Sequence, residues 1–242
     1  MRTLPAAALV LLSIAAPLLA EGPAEHQAQV SSTKEFPFAP GGTVRLARSF
    51  GNLYVEGWDQ ARVEITVVKS TSYSDDAAEL KDKLAPRLDT ISVTSERRSD
   101  TEIAIETTWA ARRDWAPPLA KLKQNGVQLE YRIYVPRNTR LVIDHRGGSV
   151  EIGNVTAEVE ASNRDGDLLL MLPASASYAI DARSKMGHIA SDFEGRTLSR
   201  YLVGQQFTSS GSRRLHLRTG FGGITIVALP PEGEALSKAG SQ

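Results

Sequence analysis

The chain has 242 residues, with 28 Lys plus Arg set against 28 Asp plus Glu and 41% hydrophobic residues. A balance of that kind excludes binding driven by net charge, so no nucleic-acid partner is expected and only local patches remain to be considered. Cysteine is absent, which excludes disulfides and thiolate metal sites and leaves apolar burial and backbone hydrogen bonds to hold the fold.

Residues 1–20 read as a signal peptide. Arg2 is a minimal positive n-region, Leu4 to Leu19 is an apolar h-region, and Leu18-Leu19-Ala20 offers a small residue for cleavage. Pro5 and Pro17 break up a continuous helix, and the stretch is short for a span of about 20 residues. An uncleaved anchor is the competing reading. Cleavage implies a periplasmic or extracellular protein with no stable membrane span. Residues 21–35 are polar and aperiodic and read as a flexible leader. A single β-repeat domain is expected over residues 36–229, with an insertion at about 74–125. Residues 230–242 read as a frayed tail.

Within that domain the apolar residues alternate. Val44 and Leu46, Leu53 and Val55, then Val63, Ile65 and Val67 mark the first strands. Ser74-Asp75-Asp76 is placed to cap one short helix running to about Leu84, ahead of Pro86. Ile91 and Val93 face Ile103 and Ile105 across Arg98-Ser99-Asp100, an inserted hairpin. Trp109 to Gln124 has no strand period and is long for a compact loop. A clean alternation follows through Val127, Leu129, Tyr131, Ile133 and Val135. Beyond Leu141 the expected core is Val159, Leu168, Leu170, Leu172, Ile180, Ile189, Leu215, Leu217, Ile224 and Ile226, interrupted by a longer excursion over Arg196 to Gly211.

One short phrase recurs five times: a polar lead-in, a glycine, then alternating apolar residues. It appears as Arg48-Ser49-Phe50-Gly51, His145-Arg146-Gly147-Gly148, Asn163-Arg164-Asp165-Gly166, Ser184-Lys185-Met186-Gly187 and Thr219-Gly220-Phe221-Gly222. Glycine adopts positive φ without steric cost and so marks a tight turn before each strand. Gly148 to Gly166 is 18 residues and Gly166 to Gly187 is 21, near the rung length of a stacked β repeat. The expected fold is therefore mainly β, a β-solenoid or β-roll-like stack of short strands with glycine turns.

Several constellations suggest chemistry. Asp165-Gly166-Asp167 hints at calcium, but the spacing is about twice that of a calcium β-roll and no matching Asp follows in the next repeat. His145, His188 and His216 fall at different rung positions, so they read as exposed turn and strand histidines, not as a zinc site. No metal or cofactor is implied. Arg214, His216 and Arg218 alternate with Leu215 and Leu217 and form a cationic stripe on one strand face. It serves either phosphate and sulfate recognition or protection against edge pairing. In the aperiodic loop, Trp109 and Trp115 with Arg112 and Arg113 have the composition of a binding hot spot. The same tryptophans would serve as a lid on the end of the stack. No serine lies in a nucleophile elbow.

The run Tyr131-Arg132-Ile133-Tyr134-Val135-Pro136, followed by Leu141-Val142-Ile143, Gly148-Ser149-Val150-Glu151-Ile152 and Asn163-Arg164-Asp165-Gly166-Asp167, resembles the bacterial "putative adhesin" family of the cell envelope. The resemblance spans about residues 41 to 229. It implies an exported, solenoid-like domain that binds an envelope protein or glycan or serves a structural role, without catalysis. A carbohydrate-active lyase or hydrolase on the same scaffold, or a partner subunit of an envelope signalling system, is the alternative.

Overall fold

Period-2 alternation becomes strand almost wherever it occurs. In the computed structural model, which describes residues 25–74, 88–109, 127–200 and 203–230, the chain opens with β1 (Glu25–Pro37), β2 (Thr43–Ser49), β3 (Asn52–Trp58) and β4 (Arg62–Ser74). Next come β5 (Ile91–Ser99), β6 (Glu102–Trp109) and β7 (Val127–Pro136). Six short strands follow: β8 (Arg140–His145), β9 (Val150–Gly153), β10 (Val159–Asp165), β11 (Leu168–Pro173), β12 (Tyr178–Met186) and β13 (Ile189–Ser191). The last four are β14 (Arg196–Arg200), β15 (Gly204–Thr208), β16 (Arg213–Phe221) and β17 (Ile224–Leu229).

These strands make two open, mixed sheets. The eight-stranded sheet runs β1-β4-β7-β3-β9-β11-β17-β13, and the nine-stranded sheet runs β14-β15-β12-β16-β10-β8-β2-β6-β5. At the centre of each the pairing is parallel and in register. Leu53, Val150, Leu168, Ile224 and Ile189 form one such row, and Leu46, Ile143, Ala161, Leu217 and Ala182 form another. All ten are buried in one apolar cluster drawn from both sheets. Every core residue expected between Val159 and Ile226 belongs to that cluster. Successive strands bring like side chains within about 5 Å, which is what turns an alternating pattern into a continuous core.

Two features depart from the sequence reading. Part of the stretch read as a flexible leader is strand, because β1 pairs antiparallel with β4 from Glu25↔Ser74 to Pro37↔Arg62. The repeats do not stack in chain order: β16 and β17 stand between β10/β11 and β12/β13. The excursion over residues 196–211 explains the change, since it contains the hairpin β14–β15. β15 pairs with one edge of β12 while β16 pairs with the other. The inserted hairpin is present as β5 and β6, but the short helix expected at about 75–84 lies outside the described residues. No helix among the described residues is long and apolar enough to cross a membrane.

The five glycine phrases meet in space as one column, in the order Gly51, Gly148, Gly166, Gly222 and Gly187. Each of the first four donates its N–H to the turn of the next rung, at 2.7 to 3.0 Å. At Gly148 (φ 108°) and Gly166 (φ 128°) the backbone occupies a region closed to L side chains. A Cβ on either would also fall on the carbonyl of the neighbouring glycine, Gly51 or Gly148. Glycine is required there twice over.

Candidate functional site

Beneath the glycine column runs a ladder of buried polar side chains, one from each phrase: Ser49, His145, Asn163, Thr219 and Ser184. Each of the last four donates to the carbonyl of the preceding glycine. His145 Nε2 reaches Gly51 O at 3.0 Å and Asn163 Nδ2 reaches Gly148 O at 2.8 Å. Thr219 Oγ1 reaches Gly166 O at 3.1 Å and Ser184 Oγ reaches Gly222 O at 2.9 Å. A buried carbonyl left unpaired costs about 1–3 kcal/mol, so the polar lead-in of each of these four phrases is a turn lock. His145 is therefore not the exposed histidine that its turn position suggests. It is 1% exposed, and because a carbonyl can only accept, Nε2 carries the proton and Nδ1 accepts from the Ser49 hydroxyl at 2.8 Å. Burial holds its pKa down at about 4, against the opposing pull of the Gly51 and Gly147 carbonyls and the Asp144 charge. At neutral pH it is a neutral structural group.

The outer face of the same strands is charged. Register places Asp144, Ser162, Arg218 and Arg183 in one row across β8, β10, β16 and β12. One step nearer the turns lie Arg164, Gly220 and Lys185. These two rows line a shallow cleft of about 450 Å³. Gly220 contributes no side chain, so a gap separates Arg164 from Lys185. A Cβ at 220 would collide with the Arg164 carbonyl, so the gap is built into the backbone spacing.

Charge in the cleft is only partly compensated. Asp181 takes Arg218 Nη2 at 2.6 Å, Arg183 Nε at 3.3 Å and His216 Nδ1 at 3.6 Å. Desolvation pushes the Asp181 carboxyl up, but the Arg218 hydrogen bond and the charges of Arg218, Arg183 and His216 outweigh it and hold the pKa below the ordinary carboxylate value. Arg164 and Lys185 are exposed and make no ion pair among the described residues. The cleft thus offers four cationic side chains against one lining carboxylate, Asp144, with Asp181 tying down two of the four. Such a surface suits a multiply charged anion, which guanidinium and ammonium groups bind through charge-assisted hydrogen bonds.

The stripe of Arg214, His216 and Arg218 points outward from β16 as its alternation requires. Carboxylates on neighbouring strands answer it, however. Arg214 pairs with Glu158 at 3.1 Å, while His216 and Arg218 share Asp181. Of the three, only Arg218 lines the cleft. Trp109 ends β6 and packs half-buried against the core, its ring 5.6 Å from that of Phe50. Arg112, Arg113 and Trp115 lie outside the described residues. His188 lies in the turn before β13 and His216 on β16, and no group of three His, Asp or Glu residues suited to a metal ion occurs among the described residues.

The sequence reading missed Arg164, Arg183 and Lys185. A signal for two of them was present: aligned on their turn glycines, three phrases carry a cation two residues earlier, namely Arg146, Arg164 and Lys185. Arg183 has no such mark and joins the cleft only because β12 lies beside β16.

No family model matches the chain, and no curated protein sequence matches it. Among solved structures it is similar to a "putative cell adhesion protein" from Clostridium sporogenes, with 14% identity and a TM-score of 0.44 over 83% of this chain and 100% of that one. It is also similar to a "putative adhesin" from Bacteroides fragilis, with 11% identity and a TM-score of 0.30 over 82% of this chain and 97% of the other. A third, a "putative adhesin" from Parabacteroides merdae, has 11% identity and a TM-score of 0.20 over 66% of this chain and 67% of its own. Likeness at this level transfers no residue role.

Proposed function

We propose that the chain is an exported, adhesin-type binding module of the cell envelope that holds anionic groups in the cleft on its nine-stranded sheet. The observation that carries this reading is the pair Arg164 and Lys185, exposed and uncompensated on either side of Gly220, with Arg183 and Arg218 fixed behind them. In the same reading the parallel core acts as a solenoid-like stack, and its rung spacing sets the distance between the cations. Export follows from the apolar segment at residues 4–19. Binding, not catalysis, suits the lining. Its two hydroxyls, Ser162 and Thr219, are engaged with backbone carbonyls, those of Ile143 at 3.4 Å and Gly166 at 3.1 Å.

Retention on a sulfated polysaccharide column tests the reading. Arg164→Glu combined with Lys185→Glu should abolish retention at low salt, whereas Arg214→Glu, whose partner is Glu158, should change it little. Undiminished retention of the double variant would remove the cleft from the function.

A further inference from the structure

Six large apolar side chains are exposed among the described residues, and four of them gather near one corner of the molecule. Phe221 (56% exposed) ends β16 and Met186 (48%) ends β12, opposite one another in register. Val203 (57%) joins them, its carbonyl accepting the Gly187 N–H at 3.1 Å, and Leu198 (40%) lies on the adjoining hairpin. Met186 and Val203 line a recess of about 470 Å³ along the turn edge. Equivalent turn positions in the other rungs are filled differently: Asp165 aligns with Phe221, and Phe50 is buried. The apolar corner is thus local to β12, β16 and the β14–β15 hairpin.

Two of these residues, Met186 and Phe221, adjoin members of the basic cleft. Lys185 precedes Met186 and Gly220 precedes Phe221, so cations and hydrocarbon are presented side by side around one edge. A hydrated polyanion would satisfy the cations and leave Phe221, Met186 and Val203 in water. An anionic bilayer satisfies both, with phosphate in the cleft and the apolar residues at the boundary between headgroups and acyl chains.

We propose that this corner docks on an anionic phospholipid surface. The inference rests on the cleft being the anion site and names the class of ligand that carries the anion. Docking is edge-on, through the turns of β12 and β16, with the β5–β6 edge of the nine-stranded sheet directed away from the lipid.

The absence of cysteine allows a site-specific probe. Phe221→Cys in the full chain, labelled with an environment-sensitive fluorophore, is mixed with vesicles of phosphatidylglycerol and phosphatidylcholine, with pure phosphatidylcholine as the control. Asp100→Cys, at a side chain 99% exposed on the β5–β6 turn, reports the far edge. The expected result is a blue shift and quenching by brominated lipid at position 221 but not at 100, with anionic vesicles only. Phe221→Ser with Met186→Ser should weaken vesicle partitioning at least about tenfold while leaving polysaccharide retention intact. A label at 221 that stays in water on anionic vesicles, or undiminished partitioning of the serine variant, overturns lipid docking and leaves the cleft as a site for soluble polyanions. Loss of polysaccharide retention in the serine variant would also overturn it, since the corner would then belong to a polymer site. Vesicle binding that survives Arg164→Glu with Lys185→Glu would overturn both readings together.

Discussion

Mild acid should weaken this fold through one residue. His145 is buried against Ser49 and the Gly51 carbonyl, and its folded pKa is about 4 against an ordinary 6.5. As pH falls through 6.5 the unfolded chain takes up a proton that the folded chain refuses until about pH 4. Above 6.5 both forms are neutral and the residue contributes no pH dependence. Stability therefore falls between pH 6.5 and 4, at up to about 1.4 kcal/mol per pH unit, and the loss approaches about 3 kcal/mol at the lower end. That is a large share of the 5–15 kcal/mol typical of a domain. Urea unfolding at intervals from pH 7.5 to 4.5 would measure it, alongside His145→Gln, whose amide can still donate to the Gly51 carbonyl. The variant should be less stable at pH 7.5, by about 1–2 kcal/mol for the lost Ser49 contact, yet lack most of the slope. A His145 imidazole titrating near 6.5 by NMR, or a parental slope that survives His145→Gln, would refute the reasoning.

Two further outcomes are expected. Gly166→Ala forces a side chain into φ 128° and onto the Gly148 carbonyl. It should destabilise by about 3 kcal/mol or more in urea unfolding, and a cost under about 1 kcal/mol would show that the column can spread. Asp181→Asn releases Arg183 and Arg218 from their shared carboxylate. Retention on sulfated polysaccharide should rise severalfold at low salt and converge with the parent at high salt, and unchanged retention would mean that these arginines do not reach the ligand.

Strand positions were legible because alternation is a local property: Val159, Leu168 and Ile224 each announce a half-buried strand without reference to their neighbours. Strand order was not. The phrase ending at Gly222 looks like the phrase ending at Gly187, and nothing local says that the later one lies nearer Gly166. That choice is made by long-range pairing, in which β15 covers one edge of β12 and so leaves only the other for β16. β1 was hidden for a related reason. Val30 is exposed and its polar neighbours carry no alternation, so the strand is held mainly by backbone pairing with β4, helped by Thr33 Oγ1 against Thr66 Oγ1 at 2.8 Å and by Phe36 packed on the core. At the site, Arg218 was visible as part of a stripe. Its neutralisation by Asp181, 37 residues away, needed the register of β12 against β16. His145 misled because a turn position usually means exposure, whereas here the bulge in β2 between Leu46 and Ser49 brings a serine against its ring.

The placement of β16 and β17 has a consequence for how such a chain is completed. Synthesis delivers residues from the N-terminus, so β10, β11, β12 and β13 emerge before the segment that joins them. Until residues 213–229 arrive, two parallel edges face each other with their amides and carbonyls unmet, and the final segment then pairs on both sides at once. Completion of the two sheets is thus concentrated in residues 213–229. A product stopped short of them keeps a pair of adhesive margins and not a smaller version of the fold, which makes the half-made chain a natural client for chaperones and proteases of its compartment.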